Sequence, residues 1–171
     1  MKCQQNLDHH FGLNYINSGL MSKCLVVMQP AFLPWSGYFN LMAQAQDFVF
    51  LNNVQLEKQS WQTRNRIIIG GKVSWVSLPI SHRSKFQTIE ETRLSNTLHW
   101  QKKLKRTFLQ SYGHHPHFIS AQEIVEALCS NLFLPLGELN KLVIQFIASK
   151  LKIYPQTYSS SDLDSTNVRS G

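Results

Sequence analysis

Two arginines that lie two positions apart, Arg64 and Arg66, are the strongest candidates for chemistry in this sequence. On an extended segment both side chains would point the same way, and paired guanidinium groups can grip a phosphate or carboxylate in a bidentate manner. Basic and amide side chains crowd the same stretch, namely Gln55, Lys58, Gln59, Gln62 and Asn65. The segment therefore predicts an anion-binding site. The alternative is a pair of surface arginines on an edge strand.

Aromatic residues stand among these polar groups, at Trp35, Tyr38, Phe39 and Trp61. Aromatic faces stack on nucleobases and on the apolar faces of sugars. Phe39 is expected in the core, whereas Trp35 and Trp61 fit a core position and a ligand-stacking position equally well. Together with the arginines, these residues suggest a ligand that carries both a phosphate and a flat or apolar group.

Carboxylates are scarce in this region. Asp47 is the only one near the first loop, and Glu57 is the only other one beside the polar stretch, so these two are the candidates for a general base. Three histidines cluster in one polar segment (His114, His115 and His117), but no Cys, Asp or Glu stands near them, so no metal site is expected. No residue pattern specifies a cofactor.

The overall composition fits one globular domain with a concentrated positive charge. The chain has 171 residues and a formal net charge of +7. Between residues 55 and 117 there are eleven Lys and Arg against three Glu. Such a field attracts phosphates, nucleic acid or anionic membranes, although part of it can be a solvated helix face. Three widely spaced cysteines favour a reducing cytoplasm, and no apolar run approaches the ~20 residues of a membrane span.

The elements that position the candidate residues can be read from periodicity. Residues 25–28 and 48–51 are short apolar runs typical of buried strands, and residues 35–46 between them have helical spacing. Gly70 and Gly71 separate two further strands and suit the turn of a hairpin. The chain is therefore predicted to be an α/β protein, with a small parallel or mixed sheet, an N-terminal β-loop-α-β unit, a β-hairpin and a C-terminal helical portion.

Three helices and one strand are expected after the hairpin. The first runs from a cap at Ser95 or Asn96 to Tyr112, the second follows Ser120, and the third covers residues 135–151, with residues 153–158 as a last strand. For the whole chain we expect a disordered N-terminal extension over 1–20, a single domain over 21–160 and a flexible tail over 161–171.

Several ordered motifs resemble one known family. They are Gln29-Pro-x-Phe-x-Pro-Trp-x-Gly-Tyr-Phe39, Val54-Gln55, Lys58-x-x-Trp-x-x-Arg-Asn-Arg66, Leu78-Pro79, Trp100, Tyr112, Pro116-x-Phe118 and Leu139-Asn140. In these positions the chain is similar to the WbqC-like protein family, over about residues 24–162. Carried over position by position, the matching residues are Gln29, Pro30, Trp35, Gly37, Tyr38, Gln55, Trp61, Arg64, Asn65 and Arg66.

The resemblance implies a bacterial role in O-antigen, lipopolysaccharide or other surface-polysaccharide biosynthesis. It further implies transfer of glycine, or another amino acid, onto a sugar. From this we expect transfer of an aminoacyl or acyl group to a nucleotide-linked amino sugar. Arg64, Arg66 and Lys58 would hold phosphates, Trp35 or Trp61 would stack on base or sugar, and Gln29, Gln55 and Asn65 would bind the acceptor. Two features depart from the family: Asn52 and Asn53 replace acidic residues, and the chain is expected to be C-terminally shortened.

Two other functions remain open from the sequence. The first is a module that binds a sugar nucleotide or glycan without catalysis, which the two asparagines and the short C-terminus favour. The second is a nucleic-acid-binding protein, for which a basic segment with aromatic residues is suited. The second ranks below the first, because the predicted basic helix has no aromatic residues on its charged side.

Overall fold

A computed structural model describes residues 23–57, 59–81, 84, 86–95, 99–131 and 133–164. The predicted N-terminal extension over 1–20, Lys58, Asn96 and residues 165–171 of the predicted tail lie outside the described residues. In chain order the described elements are β1 (Leu25–Met28), α1 (Ser36–Gln44), β2 (Asp47–Phe50), β3 (Arg64–Ile69), β4 (Lys72–Ser77), α2 (Trp100–Tyr112), α3 (Phe118–Ser130), α4 (Leu136–Lys150), β5 (Gln156–Ser159) and α5 (Ser160–Asp164).

Strands β1, β2 and β5 form a parallel sheet in the order β1-β2-β5. The register aligns Met28 with Phe50 and Phe50 with Ser159, so the carboxyl ends of the three strands lie at one edge. Helix α1 connects β1 to β2, as a parallel pair requires. The predicted β-loop-α-β unit is therefore confirmed, with β2 beginning one residue earlier than expected and α1 ending two residues earlier, at Gln44.

One face of this sheet carries the first hydrophobic core. Phe48 and Phe50 of β2 pack there with Tyr38, Phe39 and Met42 of α1 and with Ile144 and Ala148 of α4. The expectation that Phe39 belongs to the core is confirmed, since only 6% of it is exposed. This core holds α1 and α4 against the same side of the sheet, and it thereby fixes the start of α1 beside the end of β1.

The predicted hairpin is present as β3 and β4. Gly70 and Gly71 have φ angles of +56° and +77°, which matches the two-residue turn that glycine favours. Strand β3 begins at Arg64, two residues before the expected start, whereas β4 ends at Ser77, one residue before the expected end. Ile67 points into the second core, so Arg64, Arg66 and Ile68 share the outer face of β3.

Helices α2, α3 and α4 surround the second core together with the inner face of the hairpin. The predicted caps differ from the observed ones: His99 precedes α2, and Ser120 lies inside α3, which begins at Phe118. Helix α5 opens at the buried Ser160, the last residue of the predicted domain, and it extends over residues 161–164 of the predicted tail. The α/β fold class is confirmed, with a parallel sheet, an antiparallel hairpin and a C-terminal helical portion.

Candidate functional site

A cavity of about 920 Å³ lies beyond the carboxyl end of β1, where open α/β proteins bind ligands. One side is the end of β1 and the segment that follows it, residues 29–35, which we call the proline loop. The other side is the outer part of the hairpin and the turn before it, residues 59–63, which we call the tryptophan turn. The structure thus brings together two segments that are about thirty residues apart in the sequence.

A buried amide joins the proline loop to the tryptophan turn. Asn140 of α4 is 1% exposed, and its Nδ2 donates to the carbonyl oxygens of Pro30 (3.0 Å) and Gln62 (2.9 Å). Without Asn140 these two carbonyl oxygens would lose those hydrogen bonds, and a buried carbonyl left unpaired destabilises the fold. The sequence contained a signal for this role, namely a polar Asn within the apolar stripe of α4, but the sequence alone did not identify its partners.

Asn65 fixes the conformation of the proline loop. Its Nδ2 donates to the carbonyl oxygens of Phe32 (3.1 Å) and Leu33 (2.5 Å), and its Oδ1 accepts from the backbone N–H of Arg66 (2.7 Å). Leu33 has a φ of +45°, a left-handed conformation that is unfavourable for a branched side chain. Asn65 was expected to bind an acceptor, but both of its amide hydrogens are donated to the protein backbone.

Three further polar residues around the cavity, Gln29, Tyr38 and Gln62, are linked by hydrogen bonds. The side-chain Nε2 of Gln62 donates to Oε1 of Gln29. Tyr38 is buried, and its hydroxyl donates to the backbone carbonyl of Gln29 at 3.3 Å. Burial raises the pKa of the Tyr38 phenol far above its ordinary value, so this group stays neutral. Pro30 is buried as well, and it contributes the carbonyl that Asn140 binds.

Two arginines and two indoles share the outer face of the hairpin. The Cζ atom of Arg66 lies 5.6 Å from the ring centroid of Trp61 and 5.7 Å from that of Trp75. The Cζ atom of Arg64 lies 4.1 Å from the Trp75 centroid. The two indoles are themselves 5.5 Å apart. The two arginines and the two indoles therefore contact one another, and cation–π contacts hold the guanidinium groups in place.

The two arginines relate differently to the cavity. Arg66 lines it and is exposed, whereas Arg64 lies outside the described lining and is half-buried. The Nε of Arg64 is buried and has no hydrogen-bond partner among the described residues. An anion on this face could therefore receive hydrogen bonds from Arg66 directly, with Arg64 adding positive charge from the side.

Trp75 is a site residue that the sequence reasoning missed. The two-residue turn at Gly70-Gly71 already determines which residues pair, and counting outward from it places Trp75 opposite Arg66. The glycine turn in the sequence is therefore a signal that pairs Trp75 with Arg66.

Trp35 borders the cavity from the proline loop and is 63% exposed. Its ring lies over Gly37, where an ideal Cβ would come within 1.7 Å of the indole. The absence of a side chain at Gly37 therefore makes room for the Trp35 ring. The sequence left Trp35 open between a core and a ligand-facing position, and its exposure places it at the surface.

The remaining candidates lie elsewhere. Asp47 starts β2, so it is about 10 Å along the strand from the carboxyl edge, where its Oδ1 accepts a hydrogen bond of 3.2 Å from Tyr158. Glu57 is exposed, and Gln55 forms a bridge with Thr88. None of these three is among the described residues that line the cavity. The expected catalytic carboxylates are therefore not brought to the cavity by this fold.

Asn52 and Asn53 serve a structural contact at the same edge of the sheet. The Oγ of Ser160 lies 2.9 Å from Oδ1 of Asn52 and 2.8 Å from Oδ1 of Asn53. The same oxygen accepts from the backbone N–H of Asn52 at 3.1 Å. These contacts hold the start of α5 against the end of β2. The two asparagines therefore have a structural role at positions where the family resemblance led us to expect acidic residues.

Neither a metal nor a membrane span is indicated by the described part of the chain. It contains no group of three or more His, Cys, Asp or Glu that could hold a metal ion. Over the same residues, no helix combines the length and the apolar character needed to cross a bilayer.

The fold and the cavity define an open α/β protein with a ligand-sized pocket at the carboxyl edge of a parallel sheet, closed by an arginine- and tryptophan-bearing hairpin. Residues 29–170 match the WbqC-like protein family, and the chain belongs to that family. The chain is also similar to the uncharacterized protein Rv1507c of Mycobacterium tuberculosis (strain ATCC 25618 / H37Rv), with 28% identity over 144 residues. That match covers 83% of this chain and 62% of the relative, so this chain spans less than two thirds of the relative's length. No solved structure matches the chain.

Proposed function

We propose that the cavity binds a small phosphorylated ligand and that the protein transfers an acyl or aminoacyl group to a nucleotide-linked amino sugar for a bacterial surface polysaccharide. The observation that carries the binding part is the position of Arg66 at the cavity, within 6 Å of the centroids of two indoles. A guanidinium group suits a phosphate, and exposed indoles suit a base or sugar. The sugar and the surface-polysaccharide role come from the family resemblance.

Catalysis in this proposal depends on positioning. The amine of the sugar would attack an activated carbonyl carbon, a C–N bond would form, and the leaving group would depart with the electron pair of its bond to that carbon. Because neither Asp47 nor Glu57 lines the cavity, the amine would lose its proton to water or to the leaving group. Holding both reactants in register can supply up to about 7–11 kcal/mol of the barrier reduction.

A binding module without catalysis is the second candidate. The observation that favours it is the chemistry of the lining: within the described residues around the cavity, none is Asp, Glu or His. A protein of this kind would present a sugar nucleotide to a partner enzyme.

Calorimetric titration with UDP-glucosamine tests the binding part of the proposal. Arg66→Ala should weaken binding by roughly ten- to a hundredfold, the loss expected for a charge-assisted contact, and Arg64→Ala should weaken it less. Arg93→Ala is the matched control, because Arg93 is an exposed arginine outside the cavity. Equal affinities for the wild type and the Arg64→Ala and Arg66→Ala variants would refute the phosphate site.

Two further measurements separate the candidates. Formation of an acylated or aminoacylated sugar, followed by mass spectrometry with activated donors, distinguishes an enzyme from a binding module. Binding to single-stranded DNA that exceeds binding to UDP-glucosamine, and that falls steeply with salt, would favour the nucleic-acid alternative.

A further inference from the structure

The cavity has an apolar half that the phosphate site does not explain. Val27 of β1, Ile68 of β3 and Val73 of β4 all line it, and they are 50%, 55% and 68% exposed. Ile68 and Val73 are paired across the hairpin, so they form one continuous surface. Large apolar side chains that share an exposed concave surface usually mark a binding site.

The polar groups around this half leave little for a sugar to bind. Both amide hydrogens of Asn65 are donated to backbone carbonyls, and Gln62 donates to Gln29. The hydroxyl of Tyr38 is used by the carbonyl of Gln29. A sugar ring placed against Val27, Ile68 and Val73 would lose hydrogen bonds to water that these apolar side chains cannot replace, which disfavours its binding at this half.

The charge around this apolar half also disfavours an amino acid there. Arg66 is cationic, and none of the described residues that line the cavity is acidic. The ammonium group of a glycyl or other aminoacyl donor lying over Val27, Ile68 and Val73 would therefore leave water with no described carboxylate to meet it, which is unfavourable. The same surroundings favour a neutral chain joined to an anion.

We infer that the apolar half of this cavity holds the aliphatic chain of an acyl donor, whose phosphate-bearing part shares Arg66 with the phosphate of the acceptor, since a guanidinium group has five N–H donors. Arg66 and Ile68 are two residues apart on one face of β3, about 7 Å along the strand. A phosphate at Arg66 thus directs an attached chain over Ile68 and Val73. This inference rests on the proposed function, and within it selects an acyl donor over an aminoacyl donor.

Binding of octyl phosphate, ω-aminooctyl phosphate and inorganic phosphate tests the inference, at concentrations below aggregation of the alkyl compounds. Affinity should rise roughly fourfold for each methylene that leaves water, so octyl phosphate should bind well above inorganic phosphate. The ω-aminooctyl compound has the same length but ends in an ammonium group. We expect it to bind roughly tenfold more weakly than octyl phosphate, because the apolar half contains no partner for that charge.

Variants of the hairpin face provide the structural control. Ile68→Asp should remove the preference for octyl phosphate and improve binding of the ω-aminooctyl compound. Ile119→Asp is the matched change at an exposed isoleucine of α3 outside the cavity, and it should alter neither affinity. Circular dichroism checks that both variants are folded. If Ile68→Asp is unfolded, Val73→Asp replaces it in the same test.

The outcomes separate this inference from the proposed function. If octyl phosphate binds no better than inorganic phosphate while UDP-glucosamine binding still depends on Arg66, the acyl-chain inference is overturned and the proposed function remains. If no phosphorylated probe depends on Arg66, both fail. If ω-aminooctyl phosphate binds as tightly as octyl phosphate, an aminoacyl donor is favoured and the inference is wrong.

Discussion

Arg66 and Trp75 are direct partners across the hairpin, and the Cζ atom of Arg66 lies 5.7 Å from the centroid of the indole. Trp61 contacts the same guanidinium group from the preceding turn, at 5.6 Å. The positive charge at the cavity is therefore held by aromatic rings, because no described carboxylate lines this site. Since none of the described residues around the cavity gives Arg66 an anionic partner, Arg66 remains able to bind an external anion.

Trp75→Ala should weaken binding of UDP-glucosamine without unfolding the protein. Loss of a cation–π contact of about 0.5–2 kcal/mol would leave the guanidinium group of Arg66 less well ordered. Calorimetric titration should give a dissociation constant roughly three- to thirtyfold higher. Ser74→Ala, on the opposite face of the same strand, should bind like the wild type. Unchanged affinity in Trp75→Ala would show that this indole does not support the site.

Asn140→Leu should destabilise the fold and also impair the cavity. The leucine removes both hydrogen bonds to Pro30 and Gln62, and each carbonyl left without this partner costs about 1–3 kcal/mol. Urea unfolding followed by circular dichroism measures the loss. Gln145→Leu changes an exposed amide on the same helix and should have a much smaller effect. Similar midpoints for the two variants would contradict the proposed role of Asn140.

Gly37→Ala should move the Trp35 indole away from the cavity wall. A Cβ at residue 37 would overlap the ring, which lies 1.7 Å from the ideal Cβ position. In a Trp35→Ala background the same change should be neutral or stabilising by up to about 1 kcal/mol, since alanine is favoured over glycine in a helix. A double-mutant cycle of unfolding free energies therefore should show strong coupling. Additive effects would mean that the indole does not rest on Gly37.

Tyr38→Phe should change the dependence of stability on alkaline pH. Burial raises the pKa of folded Tyr38, so above pH 10 the unfolded chain loses this proton while the folded protein retains it. The free energy of unfolding of the wild type should therefore fall as pH rises through and above about 10, by up to 1.4 kcal/mol per pH unit from this group.

The Tyr38→Phe variant lacks that contribution, so its stability should fall less steeply over the same range. The other alkaline titrations are common to both proteins and cancel in the difference. Urea unfolding at pH 7 and at several values above 10 gives the comparison. Parallel curves for the two proteins would contradict a buried neutral phenol at this position.

The local elements of this protein were determined by the sequence itself. Strand β1 occupies the predicted residues, α4 lies within one residue of its predicted ends, and Gly70-Gly71 forms the predicted turn. Each of these depends on interactions between near neighbours, such as periodic burial of side chains or glycine at positive φ. The motifs around Arg64 and Arg66 likewise identified the family from the sequence alone.

The use of the polar residues was decided by the tertiary structure. Asn65 and Asn140 donate their amide hydrogens to carbonyl oxygens of the proline loop and the tryptophan turn. Asp47 lies at the amino end of its strand, away from the cavity. An asparagine that binds a ligand and an asparagine that binds the protein backbone cannot be told apart in a sequence. The partner of such an asparagine lies dozens of residues away in the sequence. A hydrogen bond forms only where the packing of the core brings a donor and an acceptor within about 3 Å.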